Sequence, residues 1–227
     1  MQNSRTVPKT GAWVDPLLAH LRRIRPRADE TGAKRGDTRA FAALRASARG
    51  KRFVFPALPY VVPYLGDSYR DPSRAVVDRA IALAQLYAIA PPSDQVDSFS
   101  SADHKSPRGE SMGAKLGRSN LADLDKTGVV RNRTDDEKHQ PSTWERRLQA
   151  LVRSDIERLI RELRGALGLI GGKPWAMTDS DYRVLGYDLA WWEHPEKHVQ
   201  MRWVTDFYAR RSDQTKSETD QKETNDD

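Results

Sequence analysis

There is no cysteine among the 227 residues. That excludes a disulfide scaffold, a cysteine-ligated zinc site, an iron–sulfur cluster and a thiol nucleophile. Long apolar runs are also missing. The best candidate, residues 75–90, contains Asp78, Arg79 and Gln85, whereas a membrane helix needs about 20 consecutive apolar residues. Residues 1–10 contain no apolar stretch of the secretory kind. The expectation is a soluble, cytoplasmic protein.

Alternating Val/Ile/Thr segments are nearly absent, so sheet is poorly encoded. The sequence also lacks a Gly-Lys-Ser/Thr phosphate loop, a Gly-x-Gly-x-x-Gly turn and a Gly-x-Ser-x-Gly elbow. The glycines at 168–172 have no strand before them and read as a helix end.

What the chain does have is charge. Lys and Arg number 38 against 32 Asp and Glu, a net of +6, and charged residues make up 31% of the chain. The distribution is uneven. Residues 1–90 carry a net of +9, residues 91–143 a net of −1, residues 144–211 a net of +2, and residues 212–227 a net of −4. The last segment has no aliphatic or aromatic residue. It cannot bury enough apolar surface to offset chain entropy, and it reads as a disordered acidic tail. Without it the body carries +10. An arginine excess on a helical body points toward a polyanionic partner, and a solvated surface with uneven charge is the alternative.

Helix signals recur along the chain. Asp15-Pro16 starts a helix bearing Leu17, Leu18, Leu21 and Ile24, and Pro26 closes it. A basic loop, 27–36, leads to Asp37 as the next N-cap. Residues 53–65 are broken by Pro56, Pro59 and Pro63. Asp71-Pro72 opens the most apolar helix, which Pro91-Pro92 ends. Residues 93–111 and 126–140 read as long polar loops around a short helical piece at 115–124. Ser142 with Glu145, and Ser154 with Glu157, form two capping boxes. Leu148, Leu151, Val152, Leu159, Ile160, Leu163 and Leu167 then recur at helical spacing. Arg146, Arg147, Arg153, Arg158, Arg161 and Arg164 fall on the opposite arc. Thr178 with Asp181 starts a helix, and Pro195 starts the last one. The fold expected is all-α, a compact bundle of about seven to nine helices, with two small lobes as a variant. Its parts are an N-terminal helical part with a basic surface (10–90), polar loops with a short helix (91–143), a C-terminal helical part (144–211) and the tail (212–227).

Catalytic chemistry finds little support. His194 and His198 are spaced i,i+4, which could present two metal ligands. Pro195 makes His194 an N-cap, however, and the segment lacks the order of a zinc-protease motif. A helix start with exposed polar residues is therefore preferred, and no metal or other cofactor is expected. Asp179 and Asp181 could bind magnesium, but acidic residues in a first helical turn also complement the dipole, and that reading is preferred. A small helical enzyme using Asp179, Asp181, Glu193 or His198 stays as the catalytic alternative.

The arginines suit phosphate binding, because the planar guanidinium makes paired, charge-assisted bonds. Two groups stand out. The first is Arg39, Arg45, Arg49, Lys51 and Arg52. The second is Arg146, Arg147, Arg153, Arg158 and Arg161. Within the second, Glu157 and Asp155 stand at helical spacing from Arg161 and Arg158 and can neutralise them. Arg146, Arg147 and Arg153 are the stronger candidates. Of the adjacent Trp191 and Trp192, which lie ~100° apart on a helix, one is expected in the core. Core packing is also preferred for the other, with stacking on a partner or a base as its alternative.

Four segments together resemble the CasB family, the small subunit of the type I-E CRISPR Cascade surveillance complex. They are Gly36-Asp37-Thr38-Arg39-Ala40 with Ala43-Leu44-Arg45; Leu116-Gly117-Arg118; Glu145-Arg146-Arg147-Leu148 through Leu151-Val152-Arg153 to Glu162-Leu163-Arg164; and Asp188-Leu189-Ala190-Trp191-Trp192 followed by an aromatic helix ending at Phe207-Tyr208. Ala46 stands where the family often has a second arginine, and the two polar loops are long for the family. The resemblance implies an all-α, non-catalytic subunit, a homodimer within a complex of large and backbone subunits with CRISPR RNA. It also implies contacts to target DNA and the displaced strand of the R-loop. By position it nominates Arg45, Arg118, Arg146, Arg147 and Arg153. Charge and spacing add Arg39, Arg49, Arg52 and Arg74. A helical assembly module whose basic faces meet partner proteins is the competing reading.

Overall fold

The computed structural model describes residues 11–28, 34–48, 55–65, 73–92, 109–127 and 141–209. Among them are nine α-helices: α1 (Val14–Ile24), α2 (Thr38–Ser47), α3 (Leu58–Val61), α4 (Arg74–Ile89), α5 (Met112–Thr127), α6 (Thr143–Val152), α7 (Ile156–Ile170), α8 (Asp179–Trp191) and α9 (198–209). The all-α class holds. No described helix is long and apolar enough to cross a membrane. The tail, Arg49, Lys51, Arg52 and most of the two polar loops lie outside the described residues.

The apolar stripes behave as their spacing predicts. Leu17, Leu18, Leu21 and Ile24 of α1 are buried. So are Leu148 and Leu151 of α6, and Leu159, Leu163 and Leu167 of α7. α4 is buried all round from Ala80 to Ala88, which is the signature of a central helix. It packs against α1, α2, α7 and α8. One cluster of buried apolar side chains runs from Trp13 to Phe207.

Several local expectations shift. The basic loop after α1 contains a two-residue antiparallel ribbon, β1 (Arg27–Ala28) with β2 (Lys34–Arg35). Gly36 closes it at φ +97°, where a Cβ would collide with the carbonyl of Arg25; the turn therefore requires glycine. α5 is longer than residues 115–124. Its Gly113 lies against the backbone of Trp203 in α9, which leaves no room for a side chain.

The Ser142–Glu145 and Thr178–Asp181 capping boxes both form. The Ser154–Glu157 box does not. Asp155 caps α7 instead, accepting from the Arg158 amide at 2.8 Å, while the Ser154 hydroxyl donates back to Ala150 O at 2.6 Å. Aspartate one residue later offers a charged acceptor to the same helix end. The last helix begins at His198, and Pro195 lies in the turn before it. Trp192 is buried against Trp203, with ring centroids 4.9 Å apart. Trp191 is 43% exposed, against the preference for core packing. Asp188, in the same segment, accepts from Trp203 Nε1 at 2.7 Å and from Arg202, so this buried carboxylate ties α8 to α9.

Candidate nucleic-acid interface

On α2, Asp37 accepts from the Ala40 amide at 2.9 Å and sets the start of the helix. That phase buries Ala40, Phe41, Leu44 and Ser47 and turns Arg39 and Arg45 outward. Arg39 is exposed and makes no ion pair with a described residue. Arg45 is held differently. Its Nε donates to Ala88 O at 2.7 Å, and its guanidinium lies 5.4 Å from the Phe41 ring centroid. One N–H is thus spent on the last turn of α4, and the other four of the fork remain. A cleft of about 410 Å³ opens here, lined by Phe41, Arg45 and Ala46 of α2 together with Arg25, Pro26 and Pro91.

On α6, Arg146 is exposed and Arg147 half-buried; Arg153 is the exposed C-cap residue. Arg146 and Arg153 make no ion pair with a described residue. Arg147 reaches across to α7, where its Nη1 comes within 3.2 Å of where a Cβ on Gly165 would stand. Its Nε is buried without a partner among the described residues. On α7, Arg161 is exposed, and Arg158 stands 3.9 Å from Glu162.

Arg164 departs from the solvent arc on which its spacing places it. Its Nη2 donates to Gln85 Oε1 at 2.7 Å, and its Nη1 donates to Ala48 O just past the end of α2. Gln85 in turn donates to Ser47 Oγ at 3.1 Å. Arg164 therefore joins α7 to both α2 and α4, and burial lowers its pKa. No period could have found it, because the acceptors come from distant segments. Its effect is to fasten the end of α2, near Arg45, to the middle of α7, one turn from Arg161.

The remaining sequence candidates sit on α5 and α4. Arg118 on α5 pairs with Glu110 at 2.5 Å. Beside it, Lys115 pairs with Asp181 at 2.7 Å, both almost fully buried, and donates to Ala176 O at 3.2 Å. Arg118 thus belongs to an ionic cluster that docks α5 on the start of α8. Arg74 is 95% exposed, with Asp78 at 3.7 Å. It sits at the N-terminal end of α4, about 21 Å along the helix from Ala88 and Arg45. Asp179 accepts from the Tyr87 hydroxyl at 2.8 Å and pairs with Arg22 at 3.2 Å. Both carboxylates of the Asp-x-Asp pair therefore have protein partners.

These features define a class: an all-α protein whose solvent-facing helix surfaces carry arginines, several of them without acidic partners among the described residues. Comparison with known proteins narrows it. The sequence profile of the CRISPR-associated protein Cse2 family matches residues 40–208. A CRISPR-associated protein Cse2 of Thermus thermophilus is 30% identical over 176 residues, covering 76% of this chain and 80% of that protein. The chain belongs to the Cse2 family. Solved structures share its fold. CasB of M. ruber matches with a TM-score of 0.61 at 20% identity, covering 89% of this chain and 98% of that one. A chain of a CRISPR RNA-guided surveillance complex matches with a TM-score of 0.53 at 19% identity, covering 90% and 98%.

Proposed function

We propose that this chain is a non-catalytic subunit of a CRISPR-RNA-guided Cascade complex that holds target DNA and the displaced strand of the R-loop by arginine–phosphate contacts. Its partners in this reading are the large and backbone subunits, CRISPR RNA, target DNA and a second copy of itself. Family membership supports the assembly, since a relative of the same fold occurs in an RNA-guided surveillance complex. The observation that carries the DNA contact is the placement of Arg39, Arg146 and Arg153. They are exposed on helices whose other faces are buried, and no described acid neutralises them. A guanidinium left without a protein partner keeps its fork for phosphate oxygens. In an RNA-guided complex, base pairing reads sequence, and protein contacts to the backbone tip a nearly balanced strand exchange.

Arg45 and Arg147 add to these contacts with part of each side chain committed to the fold. Arg118 is the weaker member, because Glu110 already holds it. Arg49 and Arg52 extend the sequence of the α2 group. Arg74 is a separate cation at the other end of α4.

The competing assembly-module reading has its own observation: Trp191, Met201 and Tyr208 are large apolar side chains left exposed on α8 and α9. The test is single-stranded DNA binding by Arg146→Ala with Arg153→Ala. Weaker binding with an unchanged melting midpoint supports phosphate contact. Unchanged binding would transfer the basic face to a protein partner.

A further inference from the structure

The turn between α8 and α9 brings together three groups that neither the fold nor the arginine surface uses. His194, Glu196 and His198 each offer a donor atom, and the three atoms lie within 4.8 Å of one another. The two imidazole rings stack with centroids 5.4 Å apart, and the Glu196 carboxylate meets His198 Nε2. A continuous helix is not what does this. Lys197 adopts φ +54°, a left-handed conformation uncommon for a residue with a side chain. Its amide donates to His194 O at 3.0 Å, so the chain doubles back and aims His198 at His194.

The base of the turn is fixed. Gln200 Nε2 donates to Trp192 O at 2.7 Å in a buried position. Glu193 is engaged by Arg79 and is not available as a fourth donor. The Glu196 amide to His194 Nδ1 contact, at 3.4 Å, is near the long limit of a hydrogen bond and easily displaced.

We propose that His194, Glu196 and His198 form a surface site for one divalent transition-metal ion of the zinc class. Two imidazoles and a carboxylate match the borderline character of such ions. With bonds of about 2.0–2.2 Å, donors around a tetrahedral ion stand about 3.3 Å apart. A pair at the 4.8 Å limit must therefore close by about 1.5 Å, which rotation of the exposed Glu196 and His198 side chains supplies. The ion replaces the Glu196–His198 contact, leaves a fourth position to water, and clamps the α8–α9 corner.

Trp191 gives the test an internal reporter. Its ring centroid lies 5.3 Å from that of His194, and it is the only tryptophan among the described residues with an exposed side chain. The full chain, free of any histidine tag, is titrated with Zn²⁺ by calorimetry and with Ni²⁺ by tryptophan fluorescence. The expected result is one Zn²⁺ per chain, and Ni²⁺ quenching that Trp191→Phe removes. Glu196→Gln weakens binding roughly tenfold or more, and His194→Ala with His198→Ala abolishes it, with helical content unchanged. Saturable binding that survives the double substitution, or none with Zn²⁺ in excess over the chain, overturns the proposal.

Discussion

Two regions of the molecule carry arginine at the same helical spacing and use it in opposite ways. At the seam of α2, α4 and α7, Arg45 and Arg164 donate to backbone carbonyls and to Gln85. On the outer face of α6, Arg146 and Arg153 extend into solvent with no described acid opposite. The difference lies in what the neighbouring segments offer. The last turn of a helix presents carbonyls without intrahelical partners and the negative end of the dipole. Two such ends, at Ala48 and Ala88, converge on the seam and capture the cations there. Among the described residues, nothing equivalent faces Arg146. An arginine on a polar arc is thus either a fastener or left free for a partner, and the acceptors within reach decide which.

The comparison breaks most visibly where charge is buried. Lys115→Ala leaves the Asp181 carboxylate without its ammonium in a water-poor site, and a broken buried pair costs about 3–5 kcal/mol. Urea unfolding reads this directly; a midpoint near that of wild type would mean that Asp181 finds another partner. Arg164→Ala removes hydrogen bonds from a charged donor at the seam, and the expected loss is about 2 kcal/mol. The same substitution at Arg146 is expected to stay within about 0.5 kcal/mol. Equal losses at the two positions would erase the distinction between fastener and contact.

A smaller, pH-dependent effect comes from His20 on α1. Its ring is buried and stacks on Tyr64 at 3.6 Å, Arg23 donates to its Nδ1 at 3.2 Å, and Nε2 has no partner among the described residues. Burial, and then the Arg23 charge, push its pKa below the ordinary histidine value, while Asp37 pulls it back upward. The folded state therefore binds a proton less readily than the unfolded chain. Stability from this site is full above the free histidine pKa of about 6.5 and falls as pH drops through the lowered folded value. His20→Gln is expected to flatten that part of the urea-midpoint profile. An equally steep acid decline in the variant would move the effect to other groups.

Much of the fold is legible because it depends on local signals. The apolar stripes of α1, α6 and α7, the central α4, one of the two capping boxes and the helix start at Thr178 follow from spacing and cap chemistry. The start of α9 does not, because Lys197 takes up a left-handed turn that no residue type announces. The candidate site is half legible. Exposure of Arg39, Arg146 and Arg153 follows from helical phase. The attachments of Arg45 and Arg164 do not, since their partners Ala88 and Gln85 are brought to them by tertiary packing. The His194–His198 pair shows the same limit: its spacing suggests a helix face, and a turn brings the rings together instead.

The most direct test of the division is the salt dependence of single-stranded DNA binding, measured for wild type and for Arg146→Ala with Arg153→Ala. Each phosphate contact on a single strand contributes roughly 0.7 to the slope of log K against log salt. Loss of two contacts flattens the slope by about 1.4 and weakens binding across all sequences alike. A slope equal to that of wild type would contradict the assignment of the α6 arginines to phosphate.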